Sequence, residues 1–158
     1  MILLWASPFV LQGLIITFDE FRFHRRRGLP LWERIGHPLD SAILGLALLI
    51  PLLSPLTKVW VIVYALASLF SCLFVTKDEY VHTDLCESAE NWLHSLLYQL
   101  HPIVLITAGL LWSARSGHPL IQDLPSSLQA GTLLVIQASA IFSFMAYQLL
   151  YWRFRPST

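Results

Sequence analysis

The chain is poor in the groups that most soluble enzymes work with. Charged residues make up 13% of its 158 positions, and it has two cysteines and seven glycines. Cys72 falls inside an apolar stretch and Cys86 on what reads as the reducing side of a membrane, which excludes a structural disulfide and leaves small buried thiols. There is no Gly-rich phosphate loop, no His-Glu-x-x-His pair and no serine in a nucleophile elbow, which argues against nucleotide, zincin and serine-hydrolase chemistry. The one basic run, Arg25-Arg26-Arg27, is too short and too close to an apolar segment to suggest nucleic acid; it suits topology and a lipid phosphate better.

Apolar residues are abundant. The sequence is 56% hydrophobic with a mean hydropathy of +0.61 and a net charge of zero. A membrane-crossing helix needs about 20 apolar residues, and the chain reads as five of them: Ile2 to Phe18, Ser41 to Leu56 (its helix starting near Leu31), Val59 to Thr76, Trp92 to Trp112 and Leu128 to Trp152. They occupy nearly the whole length, so the expectation is one all-α integral membrane domain, 1–158. The first stretch does not read as a cleaved signal peptide, because no basic residues precede it and its first charges are acidic.

With five spans, one side carries only Lys58 and Arg115. The other carries Arg22, Arg25, Arg26, Arg27, Arg34, Lys77, Arg153 and Arg155. The positive-inside rule makes the second side cytoplasmic, with the N-terminus outside and the C-terminus inside.

Carboxylates and imidazoles gather on that same side, which topology alone does not explain. They fall in two copies of one pattern. The first is Asp19-Glu20-x-x-x-His24 followed by Glu33-x-x-x-His37, and the second is Asp78-Glu79-x-x-His82 followed by Glu90-x-x-x-His94. The copies imply repeats over approximately 2–56 and 59–112, related by a pseudo-two-fold axis along the membrane normal.

At about 100° per helical residue, acid and imidazole share a face on each of four helices. Ionisable groups near hydrocarbon face a bundle interior. The expectation is therefore a four-helix antiparallel bundle in which Glu20, His24, Glu33, His37, Glu79, His82, Glu90 and His94 converge. Asp40, Asp78 and His101 stand as outer or alternative ligands. Asp19 is expected to face water, and Asp84 and Glu87 to cap the fourth helix. The fifth span, without Asp, Glu or His, reads as a peripheral supporting helix with small packing surfaces such as Ala138 and Ser139.

Bundle dimetal sites use the same ligand types, Glu with Glu-x-x-His pairs pointing inward, although the Glu-x-x-x-His spacing here is one residue longer. Carboxylates beside imidazoles suit iron or manganese somewhat better than zinc. The leading expectation is a membrane oxidoreductase with two divalent metal ions, iron favoured, acting on a lipid-like or other apolar molecule. Interfacial aromatics, Phe18, Phe21, Phe23, Trp32, Tyr80 and Trp92, would line its entrance. The alternatives are a metal-ion binding or transport protein and a zinc- or manganese-dependent lipid hydrolase. Haem ligation by two histidines would not call for so many carboxylates.

Overall fold

The structure, a computed structural model, describes residues 2–79 and 86–155, with the side chain of Asp78 excluded. Helix α1 covers Ile2–Asp19 and continues without a break through a π-helical turn, Glu20–His24, into a last α-helical turn, Arg25–Arg27. Helix α2 covers Leu31–Leu53. Helix α3 covers Lys58–Phe74 and tightens into a 3₁₀ turn at Val75–Asp78. Helices α4, Ser88–Arg115, and α5, Ser127–Arg153, complete the chain. All five helices are long and apolar enough to cross a membrane, as the sequence predicts. Prolines within them (Pro8, Pro38, Pro51 and Pro102) are tolerated because neighbouring helices in a bundle can satisfy the freed backbone groups.

The joint between α1 and α2 follows from local chemistry. Three arginines end α1, where the helix dipole is negative. Gly28 then adopts φ 79° and ψ 168°, a region essentially reserved for glycine, and Pro30 occupies the N-cap of α2 with its φ already at −64°. At the start of α4 Glu87 is the N-cap, as expected, but its side chain makes no capping bond; Asp84 lies outside the described residues. A capping box forms at α5, where Ser126 and Gln129 bond reciprocally.

Helix α4 is central and touches all the others, with α1 leaning chiefly on α4 rather than on α2. The most extensive interface joins α2 and α5. There Gly45 lets the backbone meet the Phe142 ring so closely that an added Cβ would lie 2.8 Å from it. In lipid, helix association depends on such close packing, because the tails are as apolar as the side chains. The fifth helix is thus a member of the bundle and not the outlying support expected from its lack of acid and histidine.

The two ends of the bundle are held differently. At one end the last carbonyls of α2 are taken up by α4: Arg115 donates to Pro51 O and Ser54 O, and Trp112 Nε1 donates to Ser54 O, each at 3.0 Å. At the other end, where α1 and α5 finish and α2 and α4 begin, the bundle holds its carboxylates and imidazoles.

Candidate metal centre

The helix termini explain why this end tolerates so much charge. Glu33 and Glu90 stand in the first turns of α2 and α4, where the helix dipole favours an anion, and Arg27 ends α1. Arg27 joins the three elements. Its Nη2 donates to Glu33 Oε2 at 2.9 Å and to Glu90 Oε1 at 2.8 Å, while Nη1 reaches Glu33 Oε1 at 3.3 Å.

The π-helical turn positions the rest. In an ordinary α-helix Asp19 and His24, five residues apart, would diverge. The wider turn puts both on the face that looks at α4. His24 Nε2 lies 3.2 Å from Asp19 Oδ2 and 3.6 Å from Glu90 Oε1, and its Nδ1 lies 3.4 Å from Glu20 Oε2. His94 Nε2 is 3.1 Å from Asp19 Oδ2. From α2, the His37 ring stacks on that of His24 at 4.8 Å, and its Nε2 stands 3.9 Å from Glu33 Oε2. From α5, the Tyr147 hydroxyl donates to Glu20 Oε1 at 2.6 Å and accepts from Arg25 Nε at 3.1 Å.

Six of the eight expected ligands therefore meet: Glu20, His24, Glu33, His37, Glu90 and His94. Glu79 does not; it is exposed just beyond the 3₁₀ turn that ends α3. His82 lies outside the described residues, as does the side chain of Asp78. Asp40 is engaged by Lys77, whose Nζ lies 2.8 and 2.7 Å from its two oxygens. His101 sits two turns deeper and bonds to Ser71 Oγ at 2.8 Å. Of the aromatics expected around this level, Phe18, Phe21, Trp32 and Trp92 are exposed, Phe23 is buried, and Tyr80 lies outside the described residues.

Three participants were not foreseen. Asp19, expected to face water, is only 5% exposed and stands at the centre. The i, i+5 spacing to His24 carries no signal unless a π turn is already known. Arg27 does more than set topology. Tyr147 escaped a search for acids and imidazoles, although its i, i+4 relation to Tyr151 near the end of α5 marks an aromatic stripe at this level.

The donors fall into two overlapping sets, Asp19 with His24, Glu90 and His94, and His24 with Glu33 and His37; in each, the donor atoms lie within 4.8 Å of one another. An ion bound at about 2.0–2.2 Å from its ligands separates opposite donors by at most about 4.4 Å. Donors that are neighbours rather than opposites stand about 3–3.6 Å apart around such an ion, so either set would draw in by up to about 1–2 Å to close on it. The buried Asp19 Oδ1 has no hydrogen-bond partner, and His24 Nε2, although 3.2 Å from Asp19 Oδ2, makes no aligned hydrogen bond. Among the described residues four buried carboxylates (Asp19, Glu20, Glu33 and Glu90) face one guanidinium in direct contact, Arg27, so with neutral imidazoles their formal balance is −4 + 1 = −3. Such an excess needs compensation by protons or by cations. The donor set thus fits divalent metal.

A cavity of about 480 Å³ opens from the cluster into the bundle. Asp19, Glu20, His24, His37 and His94 form its polar end, and Phe9, Ile16, Leu44, Leu97, Ile141 and Phe144 line much of the rest. Its volume lies within the usual range for small-molecule sites. No protein-family model, curated protein or solved structure matches the chain.

Proposed function

We propose that this chain is a metal-dependent integral membrane enzyme, an oxidoreductase acting on a lipid-like or other apolar molecule, with two divalent metal ions at the acid–His cluster and iron favoured. The observation that carries this reading is the pair of overlapping donor sets, with the unbonded buried Asp19 Oδ1, beside a largely apolar cavity. Asp19, His24, Glu90 and His94 would hold one ion and Glu33, His37 and the shared His24 the other, His24 serving both as an imidazolate that gives up its ring proton and offers one nitrogen to each ion. Iron at this position supplies the means to use dioxygen as oxidant, whereas zinc or manganese would supply activated water for hydrolysis. In the oxidative case the substrate gives up two electrons, and a reductant outside the chain gives the other two needed to take dioxygen to water.

The protein's own groups have separable tasks. Arg27 fixes Glu33 and Glu90 and offsets part of their charge. Tyr147 holds Glu20 through its hydroxyl. The apolar cavity wall excludes bulk water and takes up a hydrocarbon body. We place this end at the cytoplasmic face, because it carries nearly all the arginines. The two motif copies act as unequal halves of one pseudo-symmetric site: the first gives most of the ligands and the second adds Glu90 and His94.

Element-resolved metal analysis of untagged protein, purified without added metal, tests the reading. Two irons per chain are expected from the two donor sets. Tightly bound zinc or manganese would move the chemistry to lipid hydrolysis. Protein that binds no metal, purified or on titration, would leave the cluster as a structural network of protonated imidazoles and carboxylates and overturn the proposal.

A further inference from the structure

The far end of the cavity differs chemically from its mouth. Gln12 of α1 and Gln137 of α5 both line it and both are buried. Their mutual contact, Gln137 Nε2 to Gln12 Oε1, is 3.5 Å, the long limit of a hydrogen bond. A primary amide has a carbonyl acceptor and two N–H donors, so the pair leaves at least one acceptor and one donor for a third group, whichever way the amides are turned. His101 lines the cavity at a similar depth on α4, but its Nε2 is occupied by the Ser71 hydroxyl. Among the described residues the cavity is lined by no guanidinium or ammonium, and its carboxylates are Asp19 and Glu20 of the cluster and Asp40, which Lys77 engages. Beside Gln12, Gly13 also lines the cavity, and a Cβ added there would meet nothing within 4 Å.

Two buried amides midway along membrane-length helices are costly unless hydrogen-bonded. They match a neutral hydroxyl or carbonyl, which can use a donor and an acceptor at once. An anionic headgroup would find no guanidinium or ammonium among the lining residues. Gln12 precedes Asp19 by seven residues, about 10 Å along the helix at 1.5 Å per residue.

We propose that this cavity binds a neutral amphiphile, a lipid-like alcohol or ketone, with its polar group between Gln12 and Gln137 and its apolar body running toward the acid–His cluster. This deepens the functional reading above and rests on it for what happens at the cluster. A substrate so held would be presented at a carbon about 10 Å from its polar group, which would make the amide pair the specificity determinant.

The test is photolabelling of the chain in lipid nanodiscs with three probes that share a diazirine-bearing dodecyl chain: the alcohol, the carboxylate and the plain alkane. Peptide mapping reads where each attaches, and metal content is measured on the same samples. The alcohol is expected to label the α1 and α5 walls, with the carboxylate at least about tenfold weaker. The double variant Gln12→Leu/Gln137→Leu should bring alcohol labelling down to the alkane level. Gly13→Phe, which fills open space, should abolish labelling of these walls. Equal labelling by alcohol and carboxylate, or an unchanged alcohol preference in the double variant, would overturn the proposal. If Gly13→Phe does not fold, the glutamine pair decides by itself. Labelling as expected in protein that holds no metal would keep the cavity site and remove the enzyme reading; metal without alcohol preference would do the reverse.

Discussion

The two copies of the acid–His pattern are nearly alike in sequence and, among the described residues, unlike in use. In the first, Asp19, Glu20, His24, Glu33 and His37 all reach the cluster. Of the described residues of the second, Glu90 and His94 reach it, while Glu79 is exposed; His82 and the side chain of Asp78 lie outside them. The difference arises where α1 and α3 end. Helix α1 widens into a π turn that points Asp19 and His24 inward together, whereas α3 narrows into a 3₁₀ turn. Acid–His spacing on a helix defines a shared face only when the helix keeps its pitch, and here the pitch changes at the motif itself.

The sharpest way to break this comparison is His24→Ala. His24 belongs to both donor sets, so its loss should release both metals, whereas His37→Ala and His94→Ala should each release one. Elemental analysis of the three variants, matched for folded yield, reads the pattern. Equal losses from all three would dissolve the distinction between a shared and an unshared ligand.

Next in size is Arg27→Ala. It removes the guanidinium from two buried carboxylates, and breaking such a pair costs about 3–5 kcal/mol. Denaturation of metal-free protein in detergent should show that loss, and bound metal should reduce it, since cations supply part of the missing charge. Arg26→Ala, at an exposed position, should stay within about 0.5 kcal/mol of the parent. Equal stability of the two variants would mean that the buried carboxylates are already protonated.

Within the second copy, Glu90→Gln should weaken metal affinity at least about tenfold, as losses around a metal site commonly do. Glu79→Gln should leave it unchanged. Isothermal titration with the metal found in the native protein checks both. A loss at Glu79 equal to that at Glu90 would restore the symmetric cage.

The sequence made the long features readable and left the local ones hidden. Five apolar stretches and the gathering of acid and imidazole at one end follow from composition and spacing, because lipid imposes helix length and inward-facing charge. Gly28 and Pro30 fit the turn between α1 and α2 through backbone geometry alone. Asp19 stayed hidden because its role depends on one added residue in a helical turn. Helix α5 was misread because its contribution is a phenol, amides and small residues, which a search for ligands passes over. Its close fit to α2 depends on Gly45 facing the Phe142 ring, a pairing of two distant positions that no local pattern reveals.

The smallest expected effect concerns Cys86, just before α4 and beside the second copy's Glu90. Arg27 Nη2 stands 3.7 Å from its sulfur. Burial pushes the thiol up to about 12, and the Glu90 carboxylate adds to the shift by opposing a second negative charge, although Arg27 counteracts part of it. The thiolate is the reactive form, so at pH 8 only about 10⁻⁴ of Cys86 should be thiolate, and the rate of maleimide labelling should rise about tenfold for each pH unit until the pH nears 12. Because the anionic neighbour raises the value, Glu90→Gln should lower it and quicken labelling, while Arg27→Ala should slow it. Labelling rates of a Cys72→Ser background against pH would show this. Rapid labelling of the parent at pH 8, or no response to either substitution, would mean that Cys86 faces solvent away from Glu90, and the second copy would then contribute less to the cluster than the distances imply.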